Sequence, residues 1–174
     1  MRGMESNSST SSETSKKGFR SILSNESRVI VAEQLQLSLS NLLDLGLQLK
    51  QAHWNLRGTL FRSVHLELDE IVDSVREASD TIAERLATIG IPADGTVRGI
   101  AESTQLPPCR TGFIPVEDVI ELVKESLFLV GNGLRNSITL VSDEDPVSED
   151  LLIGVSASIE KHLWMVQSQL SSLE

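Results

Sequence analysis

Between Arg28 and Leu56 the chain runs for nearly thirty residues with no proline and a single glycine, Gly46, and this stretch limits what it can fold into. Its leucines partly alternate, at Leu35, Leu37 and Leu39 and again at Leu43, Leu45, Leu47 and Leu49, which imitates a strand. Strands rarely exceed about 10 residues. Length therefore decides for one long helix, ended by Gly58. A second unbroken stretch, from about Leu60 to Ile89, predicts another helix, stopped at Gly90-Ile91-Pro92. Each would be about 45 Å long. Residues 90–113 gather three of the five prolines and four of the eleven glycines into one long connection, with a helical turn expected at Val97 to Ser103. Pro115 suits the first position of a third helix over residues 115–141, and Asp145 caps a fourth that opens at Pro146 and runs to about Leu170.

Four long helices with one crossover between the second and third predict an all-α fold, a ferritin-like four-helix bundle. The 174 residues suit one domain, and 40% hydrophobic content supplies its core. Residues 1–26, rich in Ser and Thr, are expected to be a disordered tail, and residues 27–172 the folded domain. Aromatics make up 3% with no tyrosine, which argues against base-stacking platforms for single-stranded nucleic acid. The net charge of -10 disfavours a surface devoted to phosphate backbones. Over residues 1–28 five basic residues oppose three acidic ones, so that end is +2 and the rest -12. A +2 tail is a weak hint of nucleic-acid contact and better suits a solubilising extension. Cys109 is alone and cannot form an internal disulfide. Without a signal-peptide pattern or a long apolar run, a soluble cytoplasmic protein with no membrane partner is expected.

The candidate chemistry lies on the second helix. Measured from His65 at 100° per residue, Asp69 falls at about 40°, Asp80 at about 60° and Glu84 at about 100°. The apolar residues Leu68, Ile71, Val72, Val75, Ile82 and Leu86 occupy another sector. His53, at the end of helix one, completes the set. Imidazole and carboxylate donors without cysteine suit iron, manganese or zinc. Fifteen residues separate the pair His65/Asp69 from the pair Asp80/Glu84, or about 22 Å of helix. One copy cannot close a single site from both pairs. Two antiparallel copies of helix two, crossing near Ser74 and Val75, bring each pair opposite the other and make two sites. No Glu-x-x-His occurs, so a di-iron centre inside the bundle is not expected. Gly131-Asn132-Gly133 and the Gly154 to Ser158 stretch carry no cofactor or nucleophile motif.

His53-Trp54-Asn55-Leu56-Arg57-Gly58, followed by Phe61, His65, Asp69, Asp80, Ala83, Glu84 and Arg85, resembles the signature of the Dps proteins, or mini-ferritins. The stretch from Asp150 to Met165 is similar to that family's last helix, and the resemblance spans residues 28–170. It implies a hollow dodecamer that oxidises Fe(II), preferably with hydrogen peroxide, and stores Fe(III) mineral, protecting against oxidative damage. It implies that His53, His65 and Asp69 of one subunit share a ferroxidase site with Asp80 and Glu84 of the next. Trp54 is then either an electron donor or a packing residue, and Arg85 is expected to pair with a carboxylate across the interface. Asp145, Glu149 and Asp150 resemble the family's iron-admitting pore, and also suit a helix N-terminus. DNA binding through the tail, with nucleoid association, is the alternative function; twelve tails would add avidity.

Overall fold

The computed structural model describes residues 20–170. Its elements run α1 (Asn25–Asn55), β1 (Leu56–Arg57), α2 (Phe61–Thr88), α3 (Val97–Ser103), β2 (Ile114–Pro115), α4 (Val116–Val141) and α5 (Pro146–Gln167). The four long helices, the crossover and its short helix are those expected. Helix α1 begins earlier than Arg28, because Ser24 caps it by accepting the Ser27 N–H at 3.1 Å. Asn25 and Glu26, assigned to the tail from composition, form its first turn; residues 1–19 of that tail lie outside the described residues.

Leu35, Leu39, Leu42, Leu45 and Leu49 are buried at helical spacing, whereas Leu47 is exposed. The strand-like alternation thus splits between core and surface. The helices pack in the ring α1, α2, α5, α4, so α2 touches α1 and α5 and lies diagonal to α4. Their shared core is aliphatic, built around residues such as Ile71, Ile82, Leu86, Val123 and Leu127. Every aromatic among the described residues stays at the surface: Trp54, Phe61, Phe113, Phe128 and Trp164.

The crossover is fastened along one polar face of α1. Gln36 both donates to Asp94 O and accepts from Asp94 N, each at 2.9 Å. Asn41 accepts from Gln105 N, Asp44 accepts from the Thr104 hydroxyl, and Gln48 donates to Pro107 O. Ser40 accepts from the Ser103 hydroxyl on the same face, and these bonds explain why α1 buries Ser40, Asn41 and Gln48 beside its leucines. Two short strands, which the sequence did not announce, pair in parallel as Leu56 with Ile114 and Arg57 with Pro115. They tie the end of α1 to the start of α4, and Pro115 becomes the N-cap residue with Val116 the first helical one. Gly58 follows with φ +146°, and a Cβ there would lie 2.7 Å from Val116 Cγ1. Only glycine fits that corner.

Candidate metal centre

The short link between α1 and α2 folds the last turn of one helix against the first turns of the next. His53 and His65 meet there with stacked rings, 3.7 Å between centroids and 22° between planes. Phe61 continues the stack, 5.0 Å from His65. His53 Nδ1 lies 3.0 Å from His65 O, and His65 Nδ1 lies 3.1 Å from His53 O. A carbonyl oxygen only accepts, so each Nδ1 carries the proton and donates it. Both Nε2 lone pairs are left for a metal, and each ring is held by the other's backbone. His53 is 6% exposed. Burial pushes its pKa down, and although the bond to the His65 carbonyl opposes this, the net shift favours the neutral imidazole.

Asp69 completes the cluster. Its Oδ1 is 3.3 Å from His53 Nδ1, and the possible ligand atoms of His53, His65 and Asp69 lie within 4.8 Å of one another. No other group of three or more possible ligands comes as close among the described residues. Sequence reasoning missed one participant, Lys50, whose Nζ donates to Asp69 Oδ1 at 2.8 Å. That hydrogen bond holds the Asp69 carboxyl below its usual range. The signal was available: Lys50 sits three residues before His53, on the same face of α1. Trp54 is 66% exposed, with Lys50 Nζ 5.8 Å from its ring centroid.

Asp80 and Glu84 are exposed on α2, well along the helix from this cluster. They belong to none of its contacts, as the spacing requires of one copy. Asp80 rims a cleft with Leu39, Leu43 and Ala83. Arg85 does not wait for a partner across an interface. Its Nη2 donates to Asp145 Oδ2 at 2.5 Å and its Nε to Ser148 Oγ at 2.9 Å, within the same chain. Asp145 is 4% exposed and caps α5 by accepting from Val147 N and Ser148 N. Burial pushes its carboxyl up, and the Ser148 and Arg85 hydrogen bonds more than reverse that, leaving it below the usual range. A carboxylate so enclosed is not free to line a pore. Glu149, half-buried, and Asp150, exposed, occupy the first turns of α5. His162 is half-buried near Lys161 and Glu70, and burial lowers its pKa.

A family model described as Ferritin-like domain matches residues 32–174. The chain is 38% identical over 156 residues to the DNA protection during starvation protein of Mycolicibacterium smegmatis, covering 86% of this chain and 82% of that one. It belongs to the Dps family. Among solved Dps structures, the tetragonal form from Mycobacterium smegmatis matches with TM-score 0.85 at 34% identity, over 91% of this chain and 96% of that one. Dps from Microbacterium arborescens in the high iron form matches with TM-score 0.81 at 28% identity, over 86% and 97%. The fine tangled pili major subunit of Haemophilus ducreyi is also 37% identical over 145 residues, covering 82% and 76%. The Dps fold thus agrees with the helix count, and no helix among the described residues is long and apolar enough to cross a membrane.

Proposed function

We propose that this Dps-family chain is a ferroxidase and iron-storage protein whose iron site is completed by a second copy. The observation that carries the reading is the reciprocal lock of His53 and His65, which leaves both Nε2 lone pairs unused in a cluster that Asp69 completes. Asp80 and Glu84 of the partner subunit supply the remaining carboxylates. A relative solved in a high iron form supports iron as the metal. The exposed aromatics Trp54 and Phe61 flank the histidines and support coverage by another copy.

Iron enters as substrate. Neutral imidazoles and carboxylates hold Fe(II) with positions left open for the oxidant. Each Fe(II) gives one electron, and a pair of them reduces one hydrogen peroxide, whose O–O bond breaks to yield water once two protons are taken up. Fe(III) then collects as mineral inside a dodecameric shell, where the acidity of the body of the chain attracts cations. Trp54, next to His53 in the chain, would quench a stray radical. Glu149 and Asp150 are the proposed pore groups. The test adds Fe(II) and peroxide anaerobically to the parent and to the variant carrying Asp80→Ala and Glu84→Ala, following Fe(III) absorbance. The variant is expected to be at least about 10-fold slower; equal rates would sink the assignment.

DNA binding is a second reading, favoured by the name of the Mycolicibacterium smegmatis relative and by the +2 end of the chain. A gel shift at low salt, with and without residues 1–26, tests it; no shift in either form removes it.

A further inference from the structure

Two residues at the middle of α2 are unexplained by the metal site. Asp73 and Arg76 are both exposed, and neither makes an ion pair or side-chain hydrogen bond among the described residues. Counting from His65, Arg76 falls at about 20° and Asp73 at about 80°. They straddle the stripe that carries Asp69 and Asp80. The apolar face of α2 lies elsewhere, with Ile71, Val72 and Val75 buried in the bundle.

The proposed site imposes a register. If His65 lies opposite the partner subunit's Glu84, and Asp69 opposite the partner subunit's Asp80, the two-fold axis passes between Ser74 and Val75. The same register sets Arg76 opposite the partner subunit's Asp73, and symmetry repeats the pair on the other side of the axis. Slipped by one helical turn, Asp73 would instead face the partner subunit's Asp80, like charge against like. We propose that Asp73 and Arg76 are positioning residues: two reciprocal ion pairs astride the axis that fix the one antiparallel register in which the metal centre is complete.

This inference rests on the shared-site reading and assigns the register to named charges. Charged groups across an interface set register and suppress wrong pairings more than they add affinity. They also sit close to the axis, where each acts twice per pair of copies. Neither makes an ion pair or side-chain hydrogen bond with the proposed ligands among the described residues, although Arg76 and Asp80 line one cleft.

The isologous geometry offers a test by complementation. Asp73→Arg alone opposes Arg to Arg at both contacts, and Arg76→Asp alone opposes Asp to Asp. Each single variant should keep its helical circular dichroism, sediment as smaller species with a dimer dissociation constant raised about 100-fold, and lose Fe(II) oxidation by peroxide. When the two variants are mixed in equal amounts, like charges meet only in dimers of one kind. In the mixed dimer both contacts set an arginine against an aspartate, and assembly and oxidation should return together. The chain carrying both substitutions should behave likewise. Single variants that assemble and oxidise like the parent overturn the inference and leave the iron site standing. A mixture that recovers neither property overturns it as well. A parent that itself neither assembles nor oxidises iron removes the shared-site reading, and the register with it.

Discussion

Asp145 offers a sharp separation between holding the fold and admitting iron. Its carboxylate accepts from Arg85, Ser148 and the backbone of Val147 while only 4% exposed, so it joins α2 to the start of α5. Asp145→Ala removes a helix cap worth about 1 kcal/mol. It also strands Arg85, whose side chain is 16% exposed, without its carboxylate. Breaking a buried pair costs about 3–5 kcal/mol. Arg85 keeps its bond to Ser148 and some contact with water, so the lower part of that range applies, for a total of about 4 kcal/mol. In a chain of this size that lowers the melting temperature by roughly 10 °C, read by circular dichroism at matched protein concentration because assembly couples to stability. In an Arg85→Met background the same substitution should cost only the cap, and the difference between the two costs is the coupling of the pair. Iron uptake per assembled particle should be unchanged in Asp145→Asn, whereas Glu149→Gln with Asp150→Asn should slow uptake at low salt and leave melting alone. The reasoning fails if Asp145→Ala melts with the parent, or if Asp145→Asn slows uptake as the Glu149 and Asp150 changes do.

The same carboxylate predicts a pH response. Its folded pKa is lowered, so its contribution is complete above the unfolded value of about 3.9 and is lost as pH falls through the folded one. The stability gap between the parent and Asp145→Asn should therefore close on acidification below about pH 4, as urea titrations at stepped pH would show. Lys50→Met removes the cation that occupies Asp69 and should tighten Zn(II) binding about tenfold by calorimetry; unchanged affinity would mean that Lys50 swings away at no cost. Gly58→Ala forces a Cβ to 2.7 Å from Val116 Cγ1 at a φ of +146°, and should cost about 2 kcal/mol in thermal melts. Asp44→Ala releases Thr104 and Gln48 and should speed hydrogen exchange of the crossover around Leu106, with a loss of about 1–2 kcal/mol.

Helix number and order were legible because unbroken length is a stronger signal than the leucine alternation in α1. The crossover was legible from Gly90, Pro92, Pro107 and Pro108, which no long helix accommodates. Its attachment was not, because Gln36, Asn41 and Gln48 look like ordinary helix-surface amides until the distant loop is in place. The strand pair escaped notice for the same reason: two residues carry no periodicity, and what fixes Leu56 beside Ile114 is tertiary. Azimuth on helix two singled out His65, Asp69, Asp80 and Glu84, with His53 added by residue type; one copy of the fold brings possible ligand atoms of His53, His65 and Asp69 within 4.8 Å of one another and leaves Asp80 and Glu84 apart. Asp145 was read correctly as the cap of α5, but its pairing with Arg85 was not foreseen, because sequence shows that a charge exists and not which charge it meets. Sixty residues apart, they find each other only once α5 packs beside α2.

Lys50 also bears on why the proposed centre divides its ligands between copies. In one chain the gathered groups are two imidazoles, with His53 held toward its neutral form, and the Asp69 carboxylate matched by the Lys50 ammonium. The pairing of Asp69 with Lys50 leaves no net charge there to offset a dication. In the proposed shared site, Asp80 and Glu84 from a second copy would add two carboxylates, the charge that an Fe(II) ion requires. On the proposed register, the half-site of an unassembled chain binds iron weakly and the assembled one binds it strongly. Oxidation is then confined to the particle that can store its product, and a chain with both carboxylates built beside His53 would lose that confinement.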